Sequence, residues 1–573
     1  MKQCPTCRRA YADETLNYCL DDGASLVYAG AGDEPATAVL PPAATSPGEA
    51  PTVNYDPRGN SSAAAELLPA AARPSSNRNM LLYAIGAAGL AVVLVVVGYI
   101  YYPRTSAATQ IESIAVMPFQ NASGNADIEY LSDGITESLI NSLSRLPKLA
   151  VKARSSVFTY KGKDTTPRQV AKDLSVQAIL NGRVTQRGDQ LLLSLELVDA
   201  ATGNQIWGEQ YVRKATDLTS LQSEIARDVS NKLRSKLSGA DQQSLAKDYT
   251  ENTEALQMYL RGKFHWNKRT RNDLLKSVEY FHQAVEKDPS YALAWAGLAE
   301  AYILLPQYAG ESPHVGYPKG KAAALRAMEL DNSLAEPHAV LATIMNEYEW
   351  KFDAAEEEYR RAIELNPNYA TGHHWYAEYL LTRGRLDEAL AEMRRARELD
   401  PLSLIINGLL GIIMQLNGQT DEAVEQLKKT VALDPTFPRG YLFLAQVYEA
   451  KGMFNEAADE FGKLSGLVGV PPEEGAKAVT SLKQAFKTQG ARGYYRRLAE
   501  ILSERGQTSA PPPASVIAGY WVMGGETDKA IAILEEALAR REPEMVRIAG
   551  PVFDPIKSDP RYKDIVRRMN VSN

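Results

Sequence analysis

Cysteine is almost missing from this chain of 573 residues: Cys4, Cys7 and Cys19 are the only three, and none follows Cys19. A disulfide-stapled scaffold is thereby excluded for everything downstream. Histidine is scarce too, with six residues (265, 282, 314, 338, 373 and 374), all after residue 264. An excess of positive charge is also lacking. Sixty-three Lys and Arg stand against 70 Asp and Glu, a net of −7, which argues against a nucleic-acid coat or a binder of anionic membrane surfaces. Between 111 and 238 there is no histidine, no cysteine and no phosphate-cradling glycine loop, and nowhere does a nucleophile–base pair stand out. The expectation is a chain that is not an enzyme.

One uncharged run is present, Met80–Tyr102 (MLLYAIGAAGLAVVLVVVGYIYY). As a helix it would span roughly 35 Å, enough for a bilayer core. Arg78 and Arg104 flank it, and Tyr83, Tyr99, Tyr101 and Tyr102 stand near its ends, as interfacial aromatics do. It lies far from the N-terminus and reads as a retained signal anchor. Thiols on one side only, with Arg73 and Arg78 before the run against Arg104 after it, place the N-terminus in the cytoplasm and the C-terminal part outside. The expected arrangement is a membrane crossed once, with the C-terminal domains outside the cytoplasm.

Residues 1–26 carry Cys4-x-x-Cys7 and Cys19-x-x-Asp22, the spacing of a zinc ribbon whose fourth ligand is a carboxylate; Asp21 is the alternative to Asp22. So short a module buries too little to fold unaided, which makes a zinc ion its natural cofactor. Residues 1–79 hold six Lys/Arg and nine Asp/Glu, a net of −3, so this head is expected to contact protein and not nucleic acid. Residues 27–79 are rich in Ala, Pro and Ser and read as a disordered tether.

Residues 108–240 alternate strand and helix signals. A strand is expected in 111–119, a helix over Tyr130–Arg145, and a short strand at Leu149–Val151. A helix follows over Pro167–Leu174, then three alternating strands in 176–213 with turns at 187–189 and 201–204, and a helix over Asp217–Leu237. Ser132, Asp133 and Asp199 are expected as a helix cap and a turn. The strings IAVMPFQNASG, YLSDGITESLINSLSRLPKLAVKARSS and AILNGRVTQRGDQLLLSLELVDAATGNQIW resemble the TolB amino-terminal-like (FlgO-like) domain. That resemblance implies a bacterial envelope protein with an interaction role, and no catalytic residues.

The remainder, 252–573, is repetitive. Gly384-x-x-Asp-Glu-Ala389, Gly418-x-x-Asp-Glu-Ala423 and Gly452-x-x-Asn-Glu-Ala457 recur every 34 residues, as do Asn366-Pro367, Asp400-Pro401 and Asp434-Pro435. Period and motif resemble the tetratricopeptide repeat, with clear units at 336–367, 370–401, 404–435, 438–470 and 511–543. Extra residues in LPQYAGESPHVGYPKG are expected to form a loop, 474–505 a degenerate pair, and 554–562 a terminal cap. Trp350, Phe352, Trp375 and Tyr376 read as packing residues. The fold class is thus multidomain: a zinc-ribbon-like head, one transmembrane helix, a small α/β domain and an all-α solenoid.

By the repeat resemblance, a peptide would lie in the concave groove, at positions such as His374, Glu378, Gln415, Arg439, Gln446 and Glu449. The expected function is a membrane-held scaffold binding a protein or peptide partner in envelope signalling or assembly, with oligomerisation as a route for transmission. The alternative is a membrane-bound signalling or transcription regulator acting through the head.

Overall fold

The computed structural model describes residues 2–3, 10–11, 27–28, 111–124, 128–146, 148–214, 217–233, 249–505 and 512–571. Three two-residue strands open the chain: β1 (Lys2–Gln3) pairs antiparallel with β2 (Ala10–Tyr11) and with β3 (Val27–Tyr28). The expected zinc ligands Cys4, Cys7, Cys19 and Asp22, the tether and the apolar run 80–102 lie outside the described residues. Among the described residues no helix is long and apolar enough to cross a membrane.

The α/β domain is built on one mixed sheet of order β6-β4-β7-β8-β9, where β4 is Ser113–Val116, β6 Ala150–Val151, β7 Ala178–Arg187, β8 Gln190–Asp199 and β9 Gln205–Lys214. β4 runs parallel to β6 and β7, while β7, β8 and β9 form an antiparallel meander. A two-residue strand absent from the sequence expectation, β5 (Gln120–Asn121), pairs with β7. Helix α1 (Glu129–Ser144) crosses the sheet and packs against α4 (Leu218–Lys232); a short α2 (Arg154–Phe158) and α3 (Pro167–Leu174) complete the domain. Alternation puts Leu191, Leu193, Leu195 and Leu197 of β8 into the core. Ser132 and Asp133 do not cap α1, which starts three residues earlier; both are buried, and Asp133 binds Lys161 at 2.5 Å. Asp199 does make the expected turn, accepting from the Thr202 amide at 2.8 Å.

Helix pairs fill the rest. The first pair is α5 (Thr253–Trp266) and α6 (Arg271–Lys287), followed by α7 (Ala292–Ala309) and α8 (Pro313–Leu330). Gly262 and Gly297 clamp the fully buried Phe281 ring from two sides, since a Cβ at either would stand 2.6 Å from it. The expected insertion loop is not a loop. α7 runs on to Ala309, Gly310 (φ 69°) ends it, Ser312 caps α8 and Pro313 starts it, so the extra residues lengthen both helices.

Then come α9 (Ala335–Ile344), a π turn Met345–Glu349 and α10 (Phe352–Leu365); α11 (Ala370–Thr382) with α12 (Leu386–Leu399); α13 (Leu404–Leu416) with α14 (Thr420–Leu433); and α15 (Pro438–Ala450) with α16 (Phe454–Leu467). α17 (Pro472–Arg505) is two helices joined at Gly490, whose φ of 65° and ψ of −158° break it. α18 (Ala514–Met523) and α19 (Thr527–Ala539) precede two 3-10 turns (Pro543–Ala549, Pro551–Ile556) and α20 (Pro560–Arg568). The motif alanines 389, 423, 457 and 530 are fully buried where helices touch. Within each turn Gly384, Gly418, Gly452 and Gly525 take φ between 72° and 81°; the position 34 residues before Gly384 holds Trp350, at φ 58°. A bulky side chain there is strained.

The α/β domain is docked against the array by packing of α1 on α5 and by two turns between helix pairs. Asn368 donates to the carbonyls of Ser144, Leu146 and Leu149 at 2.9, 3.1 and 3.0 Å, satisfying the last turn of α1 and the connection that follows it. Ser156 donates to Asp400 at 2.6 Å and accepts from the Leu402 amide at 2.8 Å, and Ser155 also binds Asp400.

Candidate functional site

The array curls around a cavity of about 1250 Å³. Its walls are first helices of the repeats; α1 and α2 close one side, and the segment from Pro512 to Arg547 closes another. Aromatic and polar groups share the lining, the usual composition of a ligand site.

On the side of the α/β domain, charges alternate. Glu137 of α1 meets Lys263 at 3.4 Å, Arg154 at 3.1 Å and the Asn267 amide at 2.7 Å, and Lys263 reaches Glu300 at 3.2 Å. Burial disfavours the Lys263 ammonium, but Glu300 and Glu137 outweigh it and hold its pKa above the ordinary lysine value. Burial raises Glu300. Arg269, itself in the left-handed region at φ 54°, lies over the Trp266 ring at 3.7 Å and makes no ion pair among the described residues.

At the opposite end the C-terminal segment clasps the π turn. Arg541 donates to the Tyr348 carbonyl and stacks on the rings of Trp350 (4.3 Å) and Tyr348 (5.2 Å). Arg547 binds Glu378 at 3.1 Å. Glu347, half-buried beneath, accepts from Tyr317 at 2.6 Å, and desolvation pushes its carboxyl up to about 8, with Glu378 and Glu544 adding to the rise. Burial would raise Glu378 as well, but His374 at 3.2 Å, with Arg547 and Arg439, holds it at about 2.

Of the groove positions expected from sequence, His374, Glu378, Arg439 and Gln446 line this cavity together; Gln415 and Glu449 do not. Glu449 is buried, turned away to the following helices, where it accepts from Tyr494 at 3.1 Å. Charge reversal at Glu449 would therefore unfold the array locally instead of reporting on the groove. Sequence reasoning missed Asn346, Glu347, Lys263, Arg541 and Arg547. The one available signal was Trp350, a tryptophan standing where the 34-residue period calls for glycine. Among the described residues no group of three or more His, Cys, Asp or Glu is placed to hold a metal ion.

Residues 109–228 match the family model of the HilA/YgeH-like transcriptional regulator second domain, and residues 351–403 match a tetratricopeptide repeat model. The helical region is a tetratricopeptide-repeat solenoid carrying a small sheet domain. Among curated proteins, the chain is 31% identical over 236 residues to the Rhizobium meliloti (strain 1021) protein named "Putative adenylate cyclase 3", covering 41% of this chain and 40% of that one. It is 22% identical over 281 residues to the transcriptional regulator HilA of Salmonella typhimurium, covering 48% of this chain and 49% of the relative. The chain thus spans less than half the length of either. The first match corrects the sequence expectation that the chain is not an enzyme, because that relative is named for a catalytic activity. Solved structures similar to it include YrrB, a TPR protein with an unusual peptide-binding site (19% identity, TM-score 0.26, 35% of this chain and 99% of that one). PilW, a type IV pilus biogenesis factor, is another (23%, TM-score 0.31, 38% and 96%).

Proposed function

We propose that the repeat array is a scaffold that takes a peptide segment of a partner protein into its central cavity. The observation that carries this reading is the cavity itself, about 1250 Å³, walled by first helices and lined by aromatic and polar side chains. Site-specific photocrosslinking in native cells tests it: a photoreactive residue at Gln446, inside, should give adducts that one at Glu425, on an exposed outer face, does not. Identical adduct profiles from the two positions would sink the reading.

The proposal extends to the segments outside the described residues. The run 80–102 anchors the chain in a bacterial inner membrane, N-terminus inside, so that the TolB-amino-terminal-like domain (108–240) and the repeats (252–573) stand outside in envelope signalling or assembly. Cys4, Cys7, Cys19 and Asp22 hold a zinc ion; in support, Cys4 and Cys7 fall in the connection between the paired strands β1 and β2. One zinc per chain, lost on Cys7→Ser, is the expected metal analysis. Labelling of the N-terminal thiols by an impermeant reagent on intact cells would overturn the orientation.

A second reading is favoured by the likeness to the Rhizobium meliloti relative: the chain takes part in forming a cyclic nucleotide. Incubation of the purified chain with ATP and a divalent metal, followed by mass spectrometry, tests it, and absence of cyclic AMP removes it. The likeness to HilA supports the regulator alternative, in which the head acts on transcription; retention of the head on DNA is its test.

A further inference from the structure

The clasped end of the cavity has a chemistry of its own. Asn346 is 3% exposed, lines the cavity, and its Oδ1 has no hydrogen-bond partner. A buried amide oxygen left unpaired costs about 1–3 kcal/mol, so the fold keeps an acceptor there that an apolar residue would have made unnecessary. Beside it Glu347, Glu378 and Glu544 all line the cavity, and the charges of Glu378 and Glu544 act on Glu347. Arg547, the cation acting on Glu347, is already engaged by Glu378, while Glu347 and Glu544 form no ion pair among the described residues. Tyr317 and Tyr359, both 2% exposed, contribute aromatic wall. The backbone that presents Asn346 and Glu347 is a π turn ending in the strained Trp350, a geometry that recurs at functional sites.

Unfilled acceptors, surplus carboxyl groups and aromatic rings together fit a cationic donor. We propose that this end of the cavity binds the lysine or arginine side chain of a basic peptide segment from a partner protein, with Asn346 and Glu544 accepting its hydrogen bonds and Tyr317 and Tyr359 flanking it. The assignment rests on the scaffold reading above and adds the charge of the ligand to it.

Fluorescence anisotropy with the full chain tests it, using two end-blocked hexapeptides, one alternating lysine with alanine and the other glutamate with alanine. The lysine peptide should bind, and the glutamate peptide at least tenfold more weakly. Asn346→Leu and Glu544→Gln should each weaken the lysine peptide about 10- to 100-fold; Glu425→Gln, on the outer face, should leave it unchanged. Asn346→Leu should also unfold at the same denaturant concentration as the parent chain or a higher one, because the lost acceptor made no bond. A residue with a merely structural role would destabilise instead. Equal affinity for the two peptides, or stronger binding of the glutamate peptide, overturns the proposed chemistry and leaves the scaffold reading intact. Binding of neither peptide, combined with identical crosslinking from Gln446 and Glu425, overturns both.

Discussion

Replacing Asn368 by alanine should loosen the α/β domain where it meets the array around residues 144–149. The Asn368 side-chain amide has two hydrogens and serves three carbonyls, those of Ser144, Leu146 and Leu149, so at least one hydrogen is shared. Its Oδ1 also accepts from Arg395 at 3.1 Å. Asn368 is 6% exposed; the Ser144 carbonyl lies in the last turn of α1, where no intrahelical amide follows, and those of Leu146 and Leu149 lie in the connection to β6, Leu146 also accepting from the Leu149 amide at 3.1 Å. A buried acceptor left unpaired costs about 1–3 kcal/mol; with water entering the vacated space and recovering part of that, the variant should lose about 2–4 kcal/mol. Because a chain with several units does not unfold in one step, a single unfolding free energy is the wrong readout. Hydrogen exchange is the right one: amides around 144–149 and 400–403 should exchange tens- to hundreds-fold faster in the variant, while those of α15 and α16 keep the parent rate. Asn368→Asp, which puts a carboxylate against the same carbonyls, should be worse than alanine. If Asn368→Ala leaves exchange at 144–149 within twofold of the parent, the docking contact does not hold the domain as argued.

Arg541→Ala removes the bond to the Tyr348 carbonyl and both ring contacts of the clasp; exchange should rise at least tenfold over 543–549, and unchanged protection there would count against the clasp. Glu449 is lifted to about 8 by burial, so the folded chain retains a proton that the unfolded chain releases near the ordinary value of 4.5. Stability is therefore lost as pH rises from about 4.5 to 8 and is flat above that, by an amount on the order of 3–5 kcal/mol. Glu449→Gln should flatten part of that slope in urea midpoints measured from pH 5 to 8, leaving the part that Glu347, lifted to the same range, supplies; a slope unchanged from the parent refutes the assignment to Glu449.

Much of this architecture was legible because it is periodic. A 34-residue recurrence of glycine, alanine and proline leaves little choice but stacked helix pairs, and leucine at every second position from 191 to 197 points to a half-buried strand. The insertion in 305–320 does not form the expected loop, although Gly and Pro usually announce one. Here Gly310 and Pro313 sit at a helix end and a helix start, where their backbone preferences serve the helices. The cavity was legible only in part. Helical spacing places His374, Glu378, Arg439 and Gln446 on one face, but it does not reveal that Glu449 turns toward Tyr494 or that residues 541–547 return to residues 348–378. Contacts across nearly two hundred residues leave no local pattern.

Departures from the period, however, do mark those contacts. In the ordinary turns between helix pairs an Asp accepts from the amide and hydroxyl two residues on: Asp288 from Ser290, Asp331 from Ser333, Asp434 from Thr436. Two turns lack that hydroxyl, carrying Asn368 and Leu402, and both bind the α/β domain. Freed from closing its own turn through a hydroxyl, Asp400 takes both Ser155 and Ser156. The helix turn that lacks glycine, at Trp350, is likewise the one gripped by Arg541. A repeat needs its consensus residues only to close on itself. Where a unit also binds something outside its immediate neighbours, the consensus position is released for that contact, and any local strain is carried by it. By that reasoning Arg269, the other non-glycine residue of the array in the left-handed region at such a turn, has an outside contact to make, and it faces the cavity with its charge unpaired among the described residues. Arg269→Gly should then leave the α5–α6 turn as stable as before or more so, while changing what the cavity retains. A loss of helix-pair stability would show instead that the arginine closes its own turn.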